Sequence, residues 1–277
     1  MSASRIFDEI CFQLEKDPDI KHVEFLDLLF NGDMRVLEGF CDLMIKNKIH
    51  VRWHANAVVR KEMTSHIFRK MKKAGCFQLT FGIESGSQRI IDQIQKKFHV
   101  EDAGEVIRNC HNSGIAAVCN FMFGFPQETE NDFLLTIDFL RSNAEYIDIV
   151  YPSRSFFCLE HGSTVERDPE RFGIDPGSIH PHYWESMGGA NNYLKRRQRC
   201  EEFSKIAADL GVYVGLGLGT SVELDKWYNL GCYYMFKGDT AEALRCFDKY
   251  LSIDPDNGNV TMKRNSCRES MCSQGGV

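Results

Sequence analysis

Polar residues stand at the ends of several apolar runs, where side chains of this kind can bind a ligand or move protons. The stretch LTFGIESGS carries Glu84 at the point where a buried strand should end, and neighbouring runs carry Asn56, Asn120 and Asp27. A carboxylate and amides can hold a polar ligand through hydrogen bonds, and a carboxylate can also act as a general base. Burying such groups unpaired costs on the order of 1–3 kcal/mol each. We therefore expect a ligand beside them, and the alternative is a core network in which they satisfy one another.

Alternation along each run predicts the face that each polar side chain occupies, because strand side chains point to opposite faces in turn. In the third strand we expect the apolar set to face the helices and the polar set to face inward. The apolar set is Phe77, Leu79, Phe81 and Ile83, and the polar set is Gln78, Thr80, Gly82 and Glu84. The same parity turns Asn56 and Asn120 inward. The polar ligand should then lie at the carboxyl ends of these strands.

These side chains belong to a series of short apolar runs that alternate with amphipathic segments from residue 5 to about 150, which predicts a parallel α/β sheet. The predicted helices are 5–16, 33–47, 63–74, two pieces within 87–113, and 130–142, and the predicted strands are 22–30, 50–58, 76–84, 115–124 and 146–152. Gly75 is a candidate C-cap and Thr129 a candidate N-cap. A barrel of this kind normally opens with a strand, so we expect its first strand upstream of Met1.

Three longer segments, taken in order, resemble the core of the radical S-adenosylmethionine enzymes. They are VEFLDLLF, then WHANAVVRKEMTSHIFRKMKKAGCFQLTFGIESGSQRIIDQIQKK, then GIAAVCNFMFGFPQETENDF. The likeness is strongest to the branch that includes methylthiotransferases and many cobalamin-dependent members. It covers about residues 5–150 and implies a partial (β/α)6 barrel that lacks its first strand.

The resemblance also implies a set of residues around S-adenosylmethionine. The strand-end glutamate and serine border this cofactor in the family, as do polar residues of the preceding strand, and the GFPQET backbone flanks the adenine. The residues concerned here are Glu84, Ser85, Asn56, Arg60, Asp27, Gly124 and Phe125. The strand faces support Glu84, Asn56 and Asp27 independently, and they add Asn120.

The family's chemistry needs a 4Fe-4S cluster held by three cysteines spaced CxxxCxxC after the first strand. The chain has eleven cysteines but no such triplet, so no metal ligand and no catalytic residue is assigned. Cys110 and Cys119 are expected to be buried and apolar, and Cys267 and Cys272 to be exposed in a disordered tail. We expect the missing strand, the cluster loop and any cobalamin domain to lie upstream, which would make this chain a fragment.

The segment WYNLGCYYMFKGDTAEALRCFDKYLSIDPDN matches the tetratricopeptide pattern in register. The matching residues are Trp227, Leu230, Gly231, Tyr234, Ala243, Phe247 and Pro255. One repeat can dock a protein partner or can simply cover an apolar edge. The predicted domains are a barrel core over 1–155, an irregular and helical extension over 156–222, the repeat over 223–257 and a disordered tail over 258–277.

Composition limits the remaining functions. A net charge of -6 and an isoelectric point near 5.9 give no general attraction to nucleic acid or anionic lipid. No apolar run reaches about 18 residues, so we expect a cytoplasmic protein without a membrane span. Three weaker patterns are interpreted conservatively: IHPHYW as a loop turn, GVYVGLGLGT as a connector, and the basic run KRRQR at 195–199 as a solvated helix face.

The sequence therefore predicts a radical S-adenosylmethionine core acting on an unknown substrate and inactive in this fragment. Two alternatives stay open. One is a non-catalytic protein that interacts with a partner through its repeat. The other is an iron-independent βα-barrel enzyme with Glu84 as general base.

Overall fold

The computed structural model describes residues 2–27, 29–152, 156–215 and 222–274, and it contains a six-stranded parallel sheet with its strands in chain order. The strands are β1 (His22–Phe25), β2 (Arg52–Ala57), β3 (Cys76–Glu84), β4 (Ala116–Phe121), β5 (Ile149–Pro152) and β6 (Tyr213–Val214). Each strand pairs in parallel with the next. The first five follow the predicted runs, whereas β6 comes from the segment GVYVGLGLGT that was interpreted as a connector.

Helices connect the strands, and further helices follow β6. They are α1 (Ala3–Lys16), α2 (Met34–Lys46), α3 (Ser65–Lys73), α4 (Gln88–Gln93), α5 (Val100–Asn112), α6 (Glu130–Asn143), α7 (Thr164–Arg167), α8 (Tyr193–Asp209), α9 (Val222–Phe236), α10 (Thr240–Leu251) and α11 (Gly258–Gln274). The predicted caps are confirmed: Thr129 and Asp132 form a reciprocal capping box at α6, and Gly75 follows α3 with φ +99°. None of the helices in the described ranges has the length and hydropathy that crossing a bilayer requires.

Two details of the strands differ from the prediction. β1 ends at Phe25 rather than at residue 30, because the chain turns back so that the Phe30 amide donates to the Asn56 carbonyl at 3.0 Å. A bulge at the start of β3 reverses the face of Phe77, which was expected to face the helices. The Phe77 ring instead lies under the Arg52 guanidinium at 4.3 Å and beside the His54 ring at 5.5 Å.

The core between sheet and helices contains a cluster of aromatic rings around Trp53 of β2. Trp53 is fully buried among the rings of Phe25, Phe30 and Phe40, and its indole N–H donates to the Ala74 carbonyl at 2.8 Å. Tyrosine- and tryptophan-type rings need such a partner when they are buried. Cys110 and Cys119 are fully buried as expected, and burial raises the pKa of both thiols.

The chain divides into two units that do not follow the linear domain boundaries expected from the sequence. The sheet unit consists of Met1–Phe157 and Leu194–Gly215, and the repeat unit consists of Cys158–Tyr193 and Leu216–Val277. The segment between β5 and α8 thus belongs to the repeat unit, while α8 and β6 return to the sheet.

The repeat unit contains the helical hairpin that the tetratricopeptide pattern predicts. Its core joins Ala243, Phe247, Tyr250 and Leu251 of α10 to the aromatic side of α9. The tail beyond residue 257 was expected to be disordered, but it forms α11 through Gln274 and buries Val260 and Cys267 against the same core. Cys272 is exposed as expected.

The histidines of IHPHYW form a turn, which confirms the structural interpretation of this pair. The His180 Nδ1 atom accepts the backbone N–H groups of His182 and Tyr183, both at 3.1 Å. The His180 ring also stacks on Tyr183, with centroids 4.4 Å apart. His180 therefore closes the loop through its Nδ1 atom.

Candidate functional site

Two half-buried amides flank β3 on the inner face of the sheet. Asn56 lies opposite Thr80 in the β2–β3 ladder, and Asn120 lies opposite Gly82 in the β3–β4 ladder. Two strand spacings, or about 10 Å, separate them across the sheet. Neither side chain makes a hydrogen bond to another residue of the described ranges, so both amides have donors and acceptors available for a ligand.

Glu84 ends β3 in a conformation that folds its carboxylate back over the strand. Its φ is +66°, a backbone angle that residues other than glycine rarely adopt. The β3–β4 register shifts between Gly82 and Glu84. The Lys96 ammonium holds the Glu84 carboxylate at 3.0 Å and donates to the Gly82 carbonyl at 3.1 Å. A Cβ atom at Gly82 would lie 2.6 Å from Glu84 Oε1, so only glycine leaves room for this pair.

Ser85 takes the opposite direction to Glu84. Its hydroxyl is buried and lies 3.1 Å from the Thr136 hydroxyl of α6, and the Thr136 oxygen also accepts the Gly86 amide at 3.0 Å. The side chains of Glu84 and Ser85 therefore have different partners, Lys96 and Thr136 respectively. The Ser85 hydroxyl instead fastens the GIESGS turn to α6.

Asp132 is a second anchor for the same turn. It accepts the Ser87 hydroxyl at 2.6 Å and the Thr129 amide at 2.8 Å, and it pairs with the Arg89 guanidinium. Burial raises the pKa of the Asp132 carboxyl, but the hydrogen bonds from Arg89, Ser87 and Thr129 outweigh burial and hold it well below its usual range. The strand end that carries Glu84 is thus tied to α6 by charged and neutral hydrogen bonds.

Gly124 and Phe125 lie beyond β4 in a loop that is closed by a buried ion pair. The Gly124 amide donates to Glu128 Oε2 at 2.7 Å, and the Glu128 amide donates to the Phe125 carbonyl at 2.8 Å. Arg199 of α8 reaches the same Glu128 oxygen at 2.7 Å, and both side chains are almost fully buried. Burial raises the pKa of Glu128, although Arg199 and the Gly124 amide oppose this rise.

The basic run at 195–199 is therefore not a solvated face, which corrects the expectation from the sequence. Arg196 and Arg199 are buried, and Lys195 and Arg199 both pair with Glu130 at 2.9 and 3.2 Å. The reason is that α8 lies against the β4–α6 loop, where Glu128 and Glu130 supply the opposite charge.

Arg60 and Asp27 lie at different positions around the sheet edge. The Arg60 guanidinium donates to the Gly32 carbonyl at 3.0 Å, and it lines a cavity of about 470 Å³ that Lys96 also lines. Arg60 is thereby on the same side as the Glu84–Lys96 pair. Asp27 follows β1 and is exposed, with no described contact to Glu84 or Asn56.

The described cysteines do not form a site for an iron-sulfur cluster. In the described ranges, no three His, Cys, Asp or Glu side chains converge where they could hold a metal ion. Burial also raises the pKa of Cys41 to about 12, and it raises that of Cys76. Burial thus favours the thiol form of both side chains.

Three residues of this arrangement were not predicted to matter. Lys96 follows Glu84 by twelve residues, in the break between α4 and α5, and a cation at such a break is a weak signal. Glu128 stands inside GFPQET, but its role depends on Arg199, which lies 71 residues further along the chain. No local pattern links an acid and a base at that separation.

Comparison with known families agrees with this architecture. The family model of the radical SAM superfamily matches residues 9–140, and the model of the tetratricopeptide repeat matches residues 225–257. An uncharacterized methyltransferase of Pyrococcus horikoshii is 31% identical over 152 residues, which are 54% of this chain and 31% of the relative. A bacteriochlorophyllide d C-12(1)-methyltransferase of Chlorobaculum tepidum is 29% identical over 111 residues, which are 40% of this chain and 23% of that enzyme.

A solved structure supports the same fold. The radical S-adenosylmethionine methyltransferase TsrM from Kitasatospora setae, with cobalamin and a 4Fe-4S cluster bound, gives a TM-score of 0.57 at 12% identity. The match covers 87% of this chain and 55% of TsrM, and at this identity it concerns the fold alone. The chain thus spans less than a third of the curated relatives and about half of this structure. Residues 9–140 form a radical SAM superfamily domain, and residues 225–257 form a tetratricopeptide repeat.

Proposed function

We propose that the carboxyl edge of the sheet binds S-adenosylmethionine. The observation that carries this proposal is the pair of amides, Asn56 and Asn120, on the two strands that flank β3, together with the Glu84–Lys96 ion pair at the end of β3. S-adenosylmethionine presents a carboxylate, an ammonium group, ribose hydroxyls and an adenine. Lys96 suits the carboxylate, Glu84 suits the ammonium group or the hydroxyls, and the amides can both donate and accept.

The residues present fit this cofactor better than they fit the other groups that the family uses. When bound, S-adenosylmethionine supplies a methyl group or, on reductive cleavage at a 4Fe-4S cluster, a 5'-deoxyadenosyl radical. Asn56, Glu84, Lys96 and Asn120 would position it, with Arg60 at the rim of the adjoining cavity. The cysteines of this chain do not fit the cluster, because they lack the CxxxCxxC spacing and several are buried as thiols. Nothing among the described residues argues for a cobalamin site.

From this follows the finer part of the proposal: residues 1–277 bind S-adenosylmethionine but do not cleave it on their own. The reductive chemistry of the superfamily would then need cysteines from outside this sequence. Anaerobic reconstitution with iron and sulfide tests this directly. Absorbance of a 4Fe-4S cluster together with 5'-deoxyadenosine formation would refute it.

Calorimetric titration with S-adenosylmethionine tests the binding site. The variant Glu84→Gln removes the charge that holds Lys96 and keeps the size of the side chain, so binding should weaken by about tenfold or more, which is about 1.4 kcal/mol. Glu9→Gln on the exposed face of α1 is the matched control, since its only described ion pair is with Arg5. Equal binding by the wild type and Glu84→Gln would contradict the proposed role of Glu84.

The repeat unit favours a second candidate function. A tetratricopeptide repeat suggests interaction with a protein, and its hairpin is complete from α9 to α10 with α11 packed beside it. If the chain fails to bind S-adenosylmethionine but captures a defined partner through this hairpin, the interaction function replaces the first proposal. Turnover of a substrate without iron or S-adenosylmethionine would instead favour Glu84 as a general base.

A further inference from the structure

We infer that Arg199 is a positioning residue that holds the loop from Gly124 to Thr129 in the shape required for binding. This inference rests on the proposed function, because the loop borders the edge where S-adenosylmethionine is proposed to bind. Arg199 itself belongs to α8, outside the part of the chain that the radical SAM family model matches.

The first support is the geometry around one oxygen atom. Glu128 Oε2 accepts the Arg199 Nη1–H group at 2.7 Å and the Gly124 N–H group at 2.7 Å. Arg199 therefore fixes the carboxylate that in turn fixes the Gly124 amide. Gly124 has φ +84°, so this bond holds the backbone at a conformation that favours glycine.

The second support is burial. The Arg199 and Glu128 side chains are 4% and 2% exposed, so neither charge can be solvated if the other is removed. A buried charge that loses its partner is strongly unfavourable, and the carboxyl would take up a proton. A neutral carboxyl is a weaker acceptor than a carboxylate, so the bond to Gly124 would weaken as well.

The third support is that Arg199 has further contacts that fix its direction. Its Nη2 atom lies 3.2 Å from Glu130, and its guanidinium lies 5.6 Å from the centre of the Phe133 ring. Lys195, one turn earlier on α8, also pairs with Glu130, at 2.9 Å. Lys195→Met is therefore a matched control, since it removes a cation from the same helix and the same network.

The test measures the loop and the ligand separately. Amide hydrogen exchange without ligand reports the Gly124 bond, and calorimetry reports S-adenosylmethionine binding. If Arg199→Met leaves the loop in its bound shape in about a tenth of molecules, the dissociation constant rises about tenfold. The Gly124 amide should likewise exchange about tenfold faster or more, because its protecting bond is open more often. Lys195→Met should change both quantities less than about twofold.

Each outcome decides the inference. Unchanged exchange at Gly124 in Arg199→Met, with the β4 amides still protected, would overturn it. If Arg199→Met does not fold, Glu128→Gln replaces it, because the amide keeps the shape and the acceptor but loses the charge that Arg199 needs. Faster exchange of the Gly124 amide in Arg199→Met, together with unchanged binding of S-adenosylmethionine, would refute the link between the loop and the ligand. If the wild type does not bind S-adenosylmethionine, the proposed function fails, and exchange at Gly124 still shows whether Arg199 holds the loop.

Discussion

Replacing Gly82 by alanine would separate the stability of the sheet from the integrity of the candidate site. The new Cβ would lie 2.6 Å from Glu84 Oε1 and 2.8 Å from Lys96 Nζ, whereas ordinary contact begins near 3.4 Å. The two groups must retreat by 0.8 and 0.6 Å respectively. Both are the ends of flexible side chains, so the backbone can stay in place while the ion pair is displaced.

The expected stability change is small. The Glu84–Lys96 pair is partly exposed, with 23% and 29% of the side chains accessible, and such a pair contributes between zero and about 1 kcal/mol. Alanine also lowers the entropy of the unfolded chain, which stabilises by about 0.4–1 kcal/mol where the backbone tolerates it. The two effects nearly cancel. We expect the free energy of unfolding to change by less than about 1 kcal/mol, while S-adenosylmethionine binding weakens about tenfold or more.

Gly86→Ala provides the opposite case and serves as the reference. A Cβ at Gly86 would lie 2.5 Å from the Leu135 carbonyl oxygen and 2.7 Å from the Thr136 Cα atom, both in the backbone of α6. A helix backbone cannot move aside as the end of a lysine side chain can. The free energy of unfolding should therefore fall by about 3 kcal/mol, at the upper end of the range for overpacking. Hydrogen exchange of the β4 amides gives both free energies. The prediction fails if Gly82→Ala lowers the free energy of unfolding as much as Gly86→Ala does. It also fails if Gly82→Ala binds S-adenosylmethionine as tightly as the wild type.

Two further predictions concern acid stability and the repeat. The low pKa of Asp132 means that its stabilising contribution is complete above the unfolded value near 4 and is lost as the pH falls toward the folded value. Below about pH 4, the free energy of unfolding should therefore fall less steeply with decreasing pH in Asp132→Asn than in the wild type. The two slopes should differ by up to about 1.4 kcal/mol per pH unit. Parallel curves would contradict this prediction. Phe247→Ala should destabilise the repeat unit by about 3–5 kcal/mol in urea denaturation, because the ring is fully buried in its core. A loss below about 1 kcal/mol would mean that the hairpin does not depend on this ring.

Local patterns were sufficient for much of the sheet unit. The strand Cys76–Glu84 and the cap Thr129 follow from alternation and from capping chemistry, which act over a few residues. The strand β6 could not be predicted in this way, because two residues are too few to show an alternating pattern. Its position is set by pairing with β5, more than 60 residues earlier. Phe77 was assigned to the wrong face because parity fails at a bulge.

The candidate site shows the same division between local and distant information. Strand parity made Glu84 and Asn120 candidates, and both side chains are half-buried in the structure. The burial of Arg199 could not be found in this way, because a basic run is buried only where distant acids compensate its charge. The helix α11 was missed for a related reason: its sequence is polar, and its order depends on a few contacts such as that of Val260 with the repeat core.

The chain passes between the two units more than once, and this has a consequence for biosynthesis. On the ribosome, β1 to β5 emerge first, yet β6 and α8 follow only after the segment Cys158–Tyr193 has been made. The sheet must wait for its last strand, with the Glu128 carboxylate lacking its cation until Arg199 arrives. A ribosome stalled within Cys158–Tyr193 would therefore hold a nascent chain with an uncovered edge at β5, the kind of surface to which chaperones bind. No single proteolytic cut can release either unit whole.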